Sequence, residues 1–334
     1  MILFIKIAIL STIIFNIIQK KTIFSNIDNN INFWELFNNT SFDIVIPVSQ
    51  NSFIPFSLGV NYFKRMTKFL KNKIVIICLK NLFNDITKIC RECELINEDE
   101  MYENLTLKNI KKLLSFNKNR AGWYFQQFLK MAYHNISKND YYLVWDSDTI
   151  PLNNFSFFNP ANNKPFFTMK KEYNKPYFNT LKIILGLKKK ILTSFISEHM
   201  IINRYIMEEM INKIEMNKYL KGNTFFEKIV FLINPNNIRK SGFSEFETYG
   251  TYVYQYYRKE YEYRNLRTCR SGYYYIGFNF RKEISNWVSR SFDIVSFEVK
   301  KGKNDRIIDL VMNKNIRKTY EFKDIIAKFK NSYF

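Results

Sequence analysis

The chain has 334 residues, 33 of them Phe and 22 Tyr, within a hydrophobic fraction of 46%; this excludes a disordered protein and suits one large α/β domain or two smaller ones. The formal charge of +21 comes from basic residues scattered along the chain rather than gathered on one helix or arm, so no specific nucleic acid is expected as a partner. Two readings of the charge stay open: solvated lysines from a bias toward Asn, Ile, Lys, Phe and Tyr, or attraction to anionic lipid or a polyanionic substrate.

Residues 1–18 are almost wholly apolar and stop at Lys20 and Lys21, and a polar, Asn-rich spacer follows over 25–32. Residues 1–40 read as a membrane anchor or signal segment with its spacer, in preference to a core helix. The expected location is membrane-associated, otherwise cytoplasmic.

The run over 42–48, Phe-Asp-Ile-Val-Ile-Pro-Val, predicts a buried parallel strand entering a loop. A helix to about residue 70, a second buried strand over 73–79 and a short third strand over 94–96 follow. This succession predicts an α/β fold with a doubly wound mixed sheet flanked by helices. Helices are expected over 105–116 and 122–135, and strands over 141–145 and 166–169. Beyond lies a more irregular α+β part, with helices over 200–214, 225–232 and 246–257 and strands over 273–280 and 292–299. Residues 41–300 make the expected domain, and 301–334 a helical extension.

Four cysteines give little. Cys90 and Cys93 form a C-x-x-C with no second pair at zinc spacing, and Cys78 and Cys269 stand alone; ordinary buried thiols are expected.

In the helix over 122–135, Phe125, Phe128, Leu129 and Ala132 make one apolar stripe. Trp123, Gln127, Lys130 and His134 fall on another face, either a ligand-lining stripe or a solvated one. The helix leads into Tyr141–Trp145 and then Asp146-Ser147-Asp148. Two carboxylates at i and i+2, leaving the carboxyl end of a buried strand, suit a hard divalent cation, Mn²⁺ or Mg²⁺, that keeps open positions for phosphate oxygens. A surface acidic turn or helix cap is the alternative for so short a motif. A haloacid-dehalogenase-like phosphohydrolase uses similar letters, with the first Asp as nucleophile. However, Ile150 stands where that family has Thr or Val, and its motif follows the first strand.

The run Arg120-Ala-Gly-Trp-Tyr-Phe-Gln-Gln-Phe-Leu-Lys130, with the strand ending at Trp145 and the two aspartates, resembles a family of bacterial glycosyltransferase-like proteins with the GT-A nucleotide-diphospho-sugar transferase fold. Residues 42–48, Ile196-Ser-Glu-His-Met200 and Phe243-Ser-Glu-Phe-Glu-Thr-Tyr-Gly250 extend the resemblance over about 42–300. The resemblance implies transfer of a sugar from a nucleotide-diphospho-sugar donor to a glycan or glycolipid acceptor. It implies donor contacts from Pro47, Val48 and Ser49 after the first strand and from Arg120, Gln127 and Lys130. It also implies that His199 joins Asp146 and Asp148 on the metal; a hydrogen-bonded structural His is the alternative.

For an inverting transfer, a carboxylate must take the acceptor's proton, and Glu245 is the candidate catalytic base. Ser244 and Glu247 have capping-box spacing, which assigns Glu247 to the helix start instead. A different class of function stays open, a non-catalytic, basic polyanion-binding protein on a transferase-like fold.

Overall fold

The computed structural model describes residues 40–67, 73–114, 118–233, 242–299 and 302–331. The expected anchor lies in 1–39, outside the described residues. Among the described residues no helix is long and apolar enough to cross a membrane. Thr40–Phe334 forms one compact unit, into which the helices after residue 300 are packed.

The fold is α/β, with a central mixed sheet flanked by helices. Strands β1 (Phe42–Pro47), β2 (Ile74–Cys78) and β3 (Glu94–Asn97) are parallel. Between them run helices α1 (Phe53–Thr67) and α2 (Phe83–Ile89). Helices α3 (Leu107–Leu113) and α4 (Ala121–Ala132) lead to β4 (Tyr141–Trp145), which lies parallel to β1 on its other side. The sheet order, β3-β2-β1-β4 with β7 (His199–Asn203) beyond β4, reverses direction of growth at β1. The carboxyl ends of β1 and β4 therefore flank the crevice where open α/β sheets bind ligands.

Every residue of β1 is buried, as a central parallel strand requires. Its one charged residue, Asp43, is matched: Tyr133 Oη donates to Oδ2 at 2.8 Å and Asn139 Nδ2 to Oδ1 at 3.0 Å. Full pairing lets a carboxylate stay in a core.

Strands β5 (Thr149–Pro151) and β6 (Phe166–Thr168) and helix α5 (Lys175–Leu185) follow the aspartates. Strand β7 (His199–Asn203) then pairs antiparallel with β4. This corrects the helix expected over 200–214. The apolar run His-Met-Ile-Ile joins the sheet, and α6 (Arg204–Glu215) starts only where the Asn203 side chain accepts from the Tyr205 and Ile206 amides. Helices α7 (Phe225–Leu232) and α8 (Glu245–Tyr256) complete the first core.

Strands β8 (Glu262–Arg264), β9 (Thr268–Cys269) and β10 (Ile294–Ser296) build two small sheets, β6-β8 and β5-β10-β9. The strand expected over 273–280 is instead α9 (Gly272–Ile276), ended by Gly277 at φ 62°. A short aromatic run carries no period that separates strand from buried helix, and the left-handed glycine decides here. Helix α10 (Lys282–Val288) and the terminal helices α11 (Asp305–Met312), α12 (Lys314–Thr319) and α13 (Phe322–Asn331) follow. Ile307, Val311 and Phe322 pack with Ile150, Trp287 and Val295 in a second hydrophobic cluster.

Cys90 and Cys93 are joined as a disulfide, correcting the expectation of ordinary thiols. They lie where the chain leaves α2 and turns toward β3, with Cα atoms 5.4 Å apart, within bonding range.

Candidate active site

A cavity of about 540 Å³ opens at the carboxyl end of β4. Helix α4 supplies Trp123, Gln127 and Lys130 to its wall, the segment before β7 supplies Ile196, Ser197 and Glu198, and the start of α8 supplies Ser244, Glu245 and Phe246. Three of the four residues of the α4 polar stripe thus face the cavity. His134, the fourth, is buried with Nδ1 2.9 Å from the Met131 carbonyl.

Lys130 is the centre of the site. Its ammonium is 2.5 Å from Asp146 Oδ1 and 2.8 Å from Glu245 Oε1, and 4.5 Å from the centre of the Phe246 ring. Burial opposes the charge on Lys130, but the two carboxylates more than offset this and hold its pKa above the ordinary lysine value. One ammonium between two carboxylates leaves a negative charge uncompensated. Burial accordingly lifts the Glu245 carboxyl above its usual range, although Lys130 pulls it down. The Gln127 side-chain oxygen accepts from the Glu245 amide at 3.2 Å, which fixes the start of α8 against α4.

Asp146 follows β4 directly, and its amide donates to the Glu198 carbonyl at 2.9 Å. Asp148 is half-buried and accepts from Thr149 Oγ1 at 3.3 Å. Burial pushes its carboxyl up to about 7, and the charges of Asp146 and Glu298 add to the rise. Among the described residues no three His, Cys, Asp or Glu side chains converge as a metal-ligand set. Asp146 and Asp148 still fit Mg²⁺ or Mn²⁺, since such ions take one or two carboxylates and fill the remaining positions with water and substrate phosphate. A divalent charge there would relieve the repulsion that raises Asp148.

The structure does not bring His199 to this cavity. His199 is the direct cross-strand partner of Trp145 and shares its face of the sheet, while Asp146 and Glu198, one residue further on, serve the other. The imidazole stacks on Trp145 with centroids 4.8 Å apart, and Nε2 lies 3.0 Å from Thr168 Oγ1. Burial, with Arg264 and Lys170 nearby, keeps its pKa well below the ordinary histidine value.

Pro47, Val48 and Ser49 stand at the end of β1, outside the residues lining the cavity. One contact ties them to it: Gln126, a lining residue, donates to the Pro47 carbonyl at 3.4 Å. Arg120 lines the cavity, its guanidinium 5.1 Å from the Trp123 ring centre. Glu247 turns inward, receiving Lys189 Nζ at 2.8 Å, Ser194 Oγ at 2.6 Å and the Phe195 amide at 3.1 Å. Its own amide donates to Ser244 Oγ at 3.3 Å, half of the expected capping box.

Sequence reasoning missed a second charged group in the same wall. Arg270 Nε lies 2.9 Å from Glu298 Oε1 and 3.3 Å from Glu198 Oε1, and its Nη1 pairs with Glu172. Glu198 lies within the Ile196–Met200 block, beside His199. Glu172, Arg270 and Glu298 carried no pattern.

Comparison with protein families gives one match, over residues 59–271, to the Family of unknown function (DUF6492). The chain belongs to that family. The DUF6492 match takes in Lys130, Asp146, Glu198, Glu245 and Arg270 and leaves out the end of β1 and Glu298. No curated protein matches the sequence. Among solved structures, this DUF6492 chain is similar to the galactosyltransferase LgtC in complex with donor and acceptor sugar analogs, at 9% identity and a TM-score of 0.39, over 77% of this chain and 87% of that one. It is similar to the apo-form glycosyltransferase GlyE of Streptococcus pneumoniae TIGR4, at 10% identity and 0.40, over 88% and 64%. It is also similar to the bifunctional glycosyltransferase WbbM, at 12% and 0.41, over 78% and 46%. The chain thus spans just under two thirds of GlyE and under half of WbbM. Likeness at this level carries no functional argument.

Proposed function

We propose that this DUF6492 protein is a metal-dependent glycosyltransferase that takes a nucleotide-diphospho-sugar donor and a glycan or glycolipid acceptor. The observation that carries the reading is the meeting of Asp146 and Glu245 on Lys130, in a cavity at the switch point of an α/β sheet. One end of that cluster suits the leaving diphosphate, and the other suits an acceptor hydroxyl.

Asp146 and Asp148 would hold Mn²⁺ or Mg²⁺, which when bound neutralises charge on the diphosphate. Arg120 and Trp123 offer a cation and a flat apolar surface for the donor. In an inverting transfer, the bond from the anomeric carbon to the diphosphate oxygen breaks. A bond to the acceptor oxygen forms, and the acceptor's proton passes to Glu245. A carboxyl lifted by burial accepts that proton closer to neutral pH. Lys130 keeps both carboxylates oriented, and protonation of Glu245 removes one negative charge from the cluster.

Two rival readings lose support in this cavity. Carboxylates outnumber cations among its lining side chains, the wrong balance for a polyanion held without a metal. A phosphohydrolase with an aspartate nucleophile carries it after the first strand, whereas Asp146 follows the fourth.

Calorimetric titration with nucleoside diphosphates and their sugar conjugates, with and without Mn²⁺, tests the proposal. Metal-dependent binding of one nucleotide, lost in Asp148→Asn with the fold intact, is the expected result. Equal affinity in the wild type and Asp148→Asn would overturn it.

A further inference from the structure

A second cavity, of about 720 Å³, adjoins the first; Glu172 and Arg270 line both. The wall between them is polarised. Glu198 and Glu298, the other two carboxylates on Arg270, line only the first cavity, as do Asp146 and Glu245. Lys170 and Lys171 line only the second.

Lys170 is largely buried and is held in place by Glu198, 3.4 Å away, and by Thr268 Oγ1. Lys171 is exposed and makes no ion pair among the described residues. The lining of the second cavity combines these cations with Arg270, the Glu172 carboxylate and the hydroxyls of Thr268 and Ser271, and adds hydrocarbon and aromatic surface from Cys269, Tyr275, Phe292 and Ile326.

We propose that the second cavity binds a phosphate ester carrying an apolar chain, and that this is the carrier end of the acceptor, its phosphate joining the chain to the glycan that bears the reacting hydroxyl. The proposal rests on the glycosyltransferase reading for the word acceptor, and on the cavity's own residues for the ligand. A phosphate at Lys171 would meet a cation with no ion pair among the described residues, beside Lys170, whose carboxylate Glu198 lines only the other cavity, and Arg270, which is paired with Glu172 in this one as well. An alkyl or isoprenyl chain would cover the face of Tyr275, Phe292 and Ile326, which a free sugar phosphate could not do. Without a metal on Asp146 and Asp148, the first cavity, rich in carboxylates, would repel the same phosphate.

The test is titration of the folded full chain with farnesyl phosphate, farnesol, glucose 1-phosphate and inorganic phosphate, each in wild type and in Lys171→Glu. Farnesyl phosphate is expected to bind tighter than the other three, and Lys171→Glu to weaken it by about tenfold or more. Glucose 1-phosphate or inorganic phosphate binding as tightly as farnesyl phosphate would overturn the apolar chain. Farnesol binding as tightly, or an unchanged affinity in Lys171→Glu, would overturn the phosphate. A parallel titration of the wild type with nucleotides and Mn²⁺ separates the two readings. Nucleotide binding without farnesyl phosphate binding sinks this proposal alone, and the reverse sinks only the transferase reading.

Discussion

The carboxylate of Glu245 receives the ammonium of Lys130 at 2.8 Å, with the two side chains 5% and 4% exposed. They come from the start of α8 and the last turn of α4, so the contact clamps the two halves of the chain around the end of β4. Removing the ammonium would leave Asp146 and Glu245 facing each other with nothing between them. Lys130→Met is expected to cost about 3–5 kcal/mol of folding stability. The double variant Lys130→Met, Glu245→Gln should recover part of that loss. Urea denaturation of the wild type and these variants, with Glu245→Gln alone, closes the cycle; strictly additive losses would show that no coupling exists.

The catalytic assignment is tested by a smaller change. Glu245→Gln keeps an oxygen for Lys130 but cannot take a proton. Sugar transfer should fall by a factor of about 10² to 10⁴, while nucleotide affinity stays within error. Single-turnover kinetics beside calorimetry give both numbers. A variant as fast as wild type would move the proton acceptor elsewhere.

Glu98, just beyond β3, gives a pH signature unrelated to the cavity. Burial pushes its carboxyl up from 4.5 to about 7, and the charge of Asp99 adds to the rise. Because the folded-state pKa is raised, its favourable contribution is complete below about pH 4.5 and is lost as pH rises through about 7. Glu98→Gln should match the wild type at pH 4.5 and exceed it at pH 8 by up to about 3 kcal/mol. Denaturant midpoints at the two pH values check this; a difference that does not change with pH would refute it.

Gly250 lies inside α8 against Phe195, and a Cβ on it would overlap the Phe195 ring. Phe195 is fully buried and has little room to move. Gly250→Ala should therefore destabilise by about 1–3 kcal/mol, despite alanine's better helix propensity. With Phe195→Ala, which removes the overlapping ring atoms, the double variant should lose less than the two single changes together. Thermal unfolding of the three variants decides, and a stabilised Gly250→Ala would show that the ring can yield.

The sheet was legible because its strands are continuous apolar runs. Residues 42–48 and 141–145 needed no pattern beyond hydrophobicity and a closing Pro or Asp. The stretch over 200–214 failed because strand and helix follow one another without a break, and only the Asn203 cap marks the border. The 273–280 run failed because four aromatic and aliphatic side chains in a row fit either element. At the site, the α4 stripe and the Asp146–Asp148 motif were visible as spacing. The Glu172, Glu198, Glu298 and Arg270 cluster was not, since it is assembled by the segments after β6, before β7, after β9 and after β10, which meet only in three dimensions. His199 is one residue from Glu198, and alternation along a strand turns it to the opposite face.

The position of β1 at the centre of the sheet has a consequence for how the protein is made. Its neighbour β2 emerges from the ribosome after a single helix, but its other neighbour, β4, follows only after two further α/β steps. Until then one edge of a strand that ends fully buried stays open, and pairing across such a span is slow. The cavity waits longer still, because Glu245 and Arg270 come from segments synthesised after the sheet is otherwise complete. A nascent chain can therefore hold its parallel strands in place well before it has anything with which to grip a donor, and truncations that stop before α8 should give aggregation-prone sheets without a site.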